Sequence, residues 1–378
     1  MGTESRDLVK AKEKKAEMAF KALFLLFCAS GITKTSTSSS NILNQRIKAT
    51  TMRTFNILVL LSLLIVNIST FVAKNKDILA TTSTYIFLVS LLQRSTLSAH
   101  LKYFQNILIR LKYVSKIYKL SSMDSSNKWI YLWASAGILL YVILGICNYF
   151  STYEQQQYLL FNYTISQPQC KILLVMFLDI ANILYVLLPF HTFAVYYTLL
   201  CHQMYCLVKN LQKRLESQQS FQFIQALETF KVLRKLIQDI DTQLSFSMFL
   251  STLFNACVMH YGVNSLIRPM EICFRSHYAA VWLLFGISYS AFIAMAVTGI
   301  LVHESSESVL EEFKDLACNT DRLIPSQKRI LFNDKNHISL TVWKIIPIQR
   351  SFIICTLGTV LTYCMLFNGM RAERQPMC

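Results

Sequence analysis

The stretch "SFIICTLGTVLTYCMLFNGM", residues 351–370, contains no charged side chain. An α-helix needs about 20 mostly apolar residues to cross the hydrocarbon of a bilayer. This run has that length, so its reading decides between a soluble and a membrane fold. Around it, the 378 residues are 53% hydrophobic and only 15% charged. So little charge cannot cover a soluble surface of this size, and lipid is therefore part of the solvent. Working outward, the scan finds seven candidate spans, roughly 55–73, 78–95, 128–150, 171–201, 244–266, 279–302 and 346–367. The fourth exceeds one crossing and is expected to continue as a helix into water. A shorter run, "FKALFLLFCASGI" (20–32), follows Lys10, Lys12, Lys14 and Lys15 and reads as an interfacial or re-entrant element. Ala29-Ser30-Gly31 keeps a cleavable signal open as the alternative reading of that segment.

Basic residues set the orientation. The N-terminal 54 residues and the connections 94–128, 202–243 and 303–345 together hold 29 Lys and Arg. The connections 74–77, 151–170 and 267–278 and the C-terminal tail hold 6. The positive-inside bias predicts a cytoplasmic N-terminus and an extracellular C-terminus. The sequon Asn162-Tyr163-Thr164 falls in an outer connection and agrees, making Asn162 the candidate glycosylation site. A second sequon, Asn67-Ile68-Ser69, lies inside the first span and is expected to be unreachable. The net charge of +16 then reads as membrane-orienting charge, and no nucleic-acid partner is expected. The partner is the lipid bilayer of the cell membrane.

The expected fold class is an all-α integral membrane protein with seven transmembrane helices and a helical cytoplasmic anchor region. Apolar residues at Phe223, Leu227, Phe230, Leu233, Ile237, Ile240 and Leu244 recur at helical spacing and predict a helix running from the cytoplasmic side into the fifth span. Val309, Leu310, Phe313 and Leu316 form a second stripe. The chain divides as a cytoplasmic N-terminal region with an interfacial helix (1–54), a bundle of spans one to six with its ligand pocket and anchor helices (55–345), and a pore-lining last span with a short outer tail (346–378).

Nothing points to an enzyme or a cofactor. No metalloprotease, serine-hydrolase or phosphate-loop pattern occurs, and nine glycines leave little material for one. Cys201, His202 and Cys206 read as structural or lipidated more readily than as metal ligands. Cys170 and Cys273 flank the outer mouth, and a disulfide between them and two free thiols stand as equal readings.

Polar groups within lipid are costly, so those that occur are functional candidates. Asp179 is the one carboxylate well inside a span, and Asn182 and Tyr185, at i+3 and i+6, read as lying on the same helical face in the outer half of the fourth span. At similar depth come Tyr141, Asn148 and Tyr149 of the third span, Asn255, His260 and Tyr261 of the fifth, Trp282, Ser288 and Tyr289 of the sixth, and Thr82 and Tyr85 of the second. Aromatic groups converging with a few polar ones suit a small-molecule pocket. Its expected ligand contacts are Asp179, Asn182, Tyr185, Tyr141, Asn255, His260, Tyr261, Trp282 and Tyr289. The bland alternative is an aromatic belt with ordinary interhelical hydrogen bonds.

Seven spans, long inner connections and the pair Thr362-Tyr363 together resemble the arthropod gustatory receptor family, within the larger insect chemoreceptor group. That family's last span carries Thr-Tyr, five mostly hydrophobic residues and Gln-Phe. Here Cys364, Met365, Leu366, Phe367 and Asn368 follow the pair, and Gly369-Met370 replaces Gln-Phe. The resemblance implies a ligand-gated, non-selective cation channel that detects small-molecule tastants. It would be a homo- or hetero-tetramer, with the last helix of each subunit lining one pore. Thr362 and Tyr363 would set the packing of that helix, and Asn368, Gly369 and Met370 would face the outer gate; Phe367 and Met370, the last bulky apolar residues before the basic tail, are the candidates for closing it. Asn368-Gly369 also suits a helix C-cap. A transporter and a G-protein-coupled heptahelical receptor are the competing readings; the first expects internal repeats and the second the opposite orientation.

Overall fold

In the computed structural model, the described residues are 26–27, 32, 42–73, 78–117, 128–155, 159–160, 163–164, 167–217, 223–267, 275–318 and 340–372. They form helices α1 (Ile42–Ala73), α2 (Ile78–Ile117), α3 (Lys128–Gln155), α4 (Pro168–Asn182), α5 (Leu188–Ser217), α6 (Phe223–Ile267), α7 (Arg275–Cys318) and α8 (Arg350–Ala372). A single π-helical turn, Ile183–Leu187, joins α4 to α5. Two short antiparallel hairpins complete the described elements: β1 (Leu159–Leu160) with β2 (Tyr163–Thr164), and β3 (Thr341–Val342) with β4 (Ile346–Pro347). The architecture is all-α.

Among the described residues, four helical stretches are long and apolar enough to cross a membrane: Ile130–Phe150, Ile172–Glu216, Gln225–Ser265 and Tyr278–Leu316. Thr54–Ser69 and Arg350–Leu366 are shorter apolar helices. The chain is a multi-pass membrane protein. The expected second span is not in either set. Its described part in α2 is interrupted by Thr81, Thr82, Ser83 and Thr84 and ends on Gln93 and Arg94, which lowers the apolar content below that of a free-standing span. This helix is carried by its neighbours, since Gln93 donates to Ser251 Oγ of α6 at 3.0 Å and Arg94 is buried.

α2, α6 and α7 are 40, 45 and 44 residues long. At a rise of 1.5 Å per residue, each is about twice the thickness of the hydrocarbon, so their charged halves extend past it. There the stripe on α6 does what its spacing predicts: Leu227, Phe230, Leu233, Ile237, Ile240 and Leu244 are all buried. From the second stripe, Val309, Leu310 and Phe313 are buried, whereas Leu316 is exposed. The rings of Phe230 and Phe313 meet at 5.3 Å, joining α6 to α7. On the polar face Arg110 of α2 pairs with Asp239 at 3.2 Å. Phe27 and Ile32 are buried against the same core, so the described part of the run 20–32 packs onto protein.

The approach to α8 is a tight hairpin in which Trp343 and Lys344 have φ of 53° and 56°. Left-handed backbone costs non-glycine residues about 1–2 kcal/mol each, and local contacts hold it. Asp241 accepts from the Thr341 amide at 2.6 Å and from the Thr341 hydroxyl. The Trp343 amide donates to the Ser245 carbonyl at 3.0 Å, and its indole lies on Phe249 at 4.8 Å. Arg350 then grips Glu304 of α7 through two hydrogen bonds of 2.6 and 3.1 Å. The helix runs through Asn368 and Gly369 to Ala372, so these two residues do not cap it, contrary to the C-cap reading. The backbone there keeps its own i→i−4 ladder and has no need of a left-handed glycine.

Candidate functional site

A cavity of about 180 Å³ opens among α1, α2, α3, the α4–α5 junction, α6 and α7. Its polar lining comes from Asn67, Ser83, Asn148, Asn182 and Tyr261, and its apolar floor includes Phe87, Leu144, Leu187 and Leu284. Amide, hydroxyl and phenol groups set in an apolar wall are what a small neutral or weakly polar molecule requires. Of the expected ligand contacts Asn182 and Tyr261 line it, as does Asn148, which the sequence places at the same depth. Asn67 and Ser83 were not among them; Asn67 had a signal, a polar amide inside an apolar run, but the sequon reading absorbed it.

A second, larger space of about 680 Å³ lies on the flank of the bundle between α3 and α4. Tyr141 and Asp179 line this groove and not the inner cavity. The reading that put Asp179, Asn182 and Tyr185 on one face therefore separates in the structure. Three residues advance a helix by 300°, so each step of i+3 falls back 60°, and the π turn adds a further rotation after Asn182. Asp179 turns to the groove, Asn182 to the cavity and Tyr185 to α1 and α2.

Tyr185 also sits nearer the basic side than expected. Its hydroxyl donates to Asn56 Oδ1 at 2.6 Å, and the Arg94 guanidinium lies 4.6 Å above its ring. Asn56 begins the apolar stretch of α1 and Arg94 closes that of α2, so this cluster marks the basic-side end of the spans and not the outer half. An arginine this deep is tolerated when a π-face and polar neighbours offset its desolvation.

His191, one turn into α5, is enclosed by Trp133 at 5.3 Å and by Tyr141 edge-on at 5.4 Å. Gly137 gives it room: a Cβ there would stand 2.2 Å from the imidazole. Asn255 is buried and lines neither space, while Trp282 and Tyr289 are 47% and 39% exposed on the outside of α7. His260 belongs to a relay toward the last helix. Asn264 Nδ2 lies 2.9 Å from His260 Nε2, 3.0 Å from its carbonyl and 3.9 Å from Cys364 Sγ of α8.

On α8, Thr362 is exposed and its hydroxyl returns to the Gly358 carbonyl at 2.8 Å. Tyr363, Met365 and Leu366 are exposed and Cys364 is buried, so one apolar face of this helix is left uncovered by the single chain. The backbone of Phe367, Asn368, Gly369 and Met370 is helical, and their side chains lie outside the described ones, as do Asn162 and Cys273. Cys170 carries a free thiol 3.3 Å from Gln167 Oε1. Cys206 Sγ and His202 Nε2 are 3.7 Å apart, and among the described residues no three metal-capable side chains come together.

No protein-family model and no curated protein matches the sequence. Solved structures do match. The olfactory receptor OR5 of the insect Machilis hrabei superposes with a TM-score of 0.72 at 13% identity, over 93% of this chain and 98% of that one. The same receptor in complex with eugenol superposes with a TM-score of 0.72 at 12% identity, over 94% of this chain and 98% of that one. The chain has the fold of this insect olfactory receptor along nearly the whole length of both.

Proposed function

We propose that the chain is a subunit of an insect-type chemoreceptor channel, in which a small molecule held in the inner cavity opens a cation path lined by α8. The observation that carries this reading is the end-to-end likeness to an olfactory receptor structure obtained with and without eugenol. Supporting it are the cavity with Asn148, Asn182 and Tyr261 and the uncovered apolar face of α8, which a ring of four subunits would enclose. Thr362-Tyr363 favours the gustatory branch and a tastant as ligand. The N-terminus is cytoplasmic, the helices cross seven times, and Asn162 carries glycan on the outside.

Calcium imaging of cells expressing this chain alone, against a panel of tastants and a panel of volatile aromatics, tests the reading. A response to tastants supports the gustatory form, and a response to volatiles alone moves the chain to the olfactory branch. Silence to both panels at normal surface expression, with and without a co-expressed chemoreceptor subunit, contradicts it.

A further inference from the structure

The flank groove between α3 and α4 has a composition unlike that of the inner cavity. Twelve residues separate Ile138 from Phe150 at its two ends, which makes it about 18 Å long at 1.5 Å per residue. Ile146, Met176 and Ile180 are exposed along it, so it opens away from the bundle, toward lipid. Leu26 of the N-terminal segment also lines it, and its walls are aliphatic and aromatic with a single carboxylate, Asp179. The Oδ2 atom of Asp179 is buried and has no hydrogen-bond partner among the described residues.

A carboxylate in a transmembrane helix costs about 2.5–3.5 kcal/mol even on lenient scales, and such residues normally find a partner. The aliphatic walls beside it supply neither donor nor charge. The carboxyl terminal torsion is broad, so either oxygen can swing toward the groove without leaving a rotamer well. Tyr141 and Tyr149 stand on the opposite wall, and aromatic faces attract ammonium groups when water is excluded. An occupant matching all of this carries a cationic head for Asp179 and an extended apolar body for the remaining length.

We propose that this groove is a second ligand site, separate from the inner cavity, that takes lipophilic primary amines from the bilayer. Asp179 binds the ammonium group, and the hydrocarbon tail lies along Ile138, Ile146 and Ile180. A neutral lipid chain would satisfy the walls but leave the carboxylate unmet, and charge complementarity is what selects the amine. Access from lipid places the site in contact with a phase where such amphiphiles concentrate.

The test needs no channel activity, so it stands apart from the receptor reading. The full chain in phosphatidylcholine nanodiscs is photolabelled with a long-chain primary alkylamine bearing a mid-chain diazirine, and the labelled peptides are mapped. The amine is expected to label segments 138–150 and 176–188, and the matching diazirine alcohol about tenfold less, the scale of one charge-assisted hydrogen bond. Asp179→Asn lowers amine labelling about tenfold, Asp179→Glu retains it within about threefold, and Ile180→Trp, which fills an outward-facing part of the groove, removes it. All variants are compared at equal monodispersity by size exclusion. Equal labelling by amine and alcohol overturns the proposal, because the groove is then a lipid seat only. Wild-type labelling of Asp179→Asn overturns it as well. Should Asp179→Asn aggregate, the alcohol comparison on the wild type and the Ile180→Trp variant decide the matter by themselves.

Discussion

From Leu188 to Met204 every residue of α5 is buried, His191, Thr192, Thr198 and His202 included, whereas the described side chains of α4 are buried only at Val175, Leu178 and Ala181. One continuous helical rod, interrupted by a single π turn, thus has a peripheral half and a central half. In α4 the spacing of three marks a helix covered along one stripe and facing lipid elsewhere. In α5 other helices surround the rod, and Thr192 turns its hydroxyl back onto its own helix, donating to the Leu188 carbonyl at 2.8 Å. The peripheral half is where polar groups face spaces large enough for a ligand. The central half is where they hold the bundle together.

The largest effect expected from this contrast is in the central half. Phe193→Ala removes a fully buried ring that neighbours Phe104 at 6.4 Å, and a loss of about 3–5 kcal/mol is expected from such a truncation. Phe177→Ala on the peripheral half, where the ring is exposed to lipid, should leave the melting temperature in detergent nearly unchanged. Similar shifts for the two variants would break the comparison.

Gly137→Ala comes next. The added methyl meets the His191 ring, and overpacking of this kind costs about 1–3 kcal/mol. Combining it with His191→Ala should lose less than the sum of the two single losses, and strict additivity in that cycle would show that the ring is free to move aside. Tyr185→Phe keeps the ring under Arg94 but deletes the bond to Asn56, for about 1 kcal/mol. That loss should vanish in an Asn56→Leu background. Smallest is Glu304→Gln, which weakens the exposed pair with Arg350. Exposed ion pairs contribute little, so no measurable melting shift is expected, and a large one would mean that the hairpin before α8 depends on this contact.

The same contrast explains what could be read in the sequence. The stripes on α6 and α7 were legible because burial on one face imposes a period, and Leu227 to Leu244 follow it without a break. α5 has no such period, since it is covered on all sides, and only its length pointed to a helix running on into water. The pocket was harder. Asn182 and Tyr261 are found in the cavity, but Asp179 stands about 60° round the helix from Asn182 and meets the groove, and Tyr185 is carried further round by a π turn that residue types do not reveal. Trp282 and Tyr289 look like pocket aromatics in sequence and stand outside α7. Aromatic residues serve lipid contact and ligand contact alike, and sequence does not say which way a helix is turned. Asn67 was missed for the opposite reason: its local motif suggested a modification, while its depth in the apolar run placed it in the cavity wall.

The function proposed above has α8 line a conducting path that closes near the end of that helix. The last bulky apolar residues of that helix, Phe367 and Met370, are spaced i and i+3, and a ring of apolar side chains closes a pore by excluding water. Whole-cell current without ligand, in cells expressing wild type, Met370→Ser or Phe367→Ser at matched surface levels, measures this directly. A raised basal current in at least one variant is the predicted result. Basal current equal to wild type in both would contradict the channel reading.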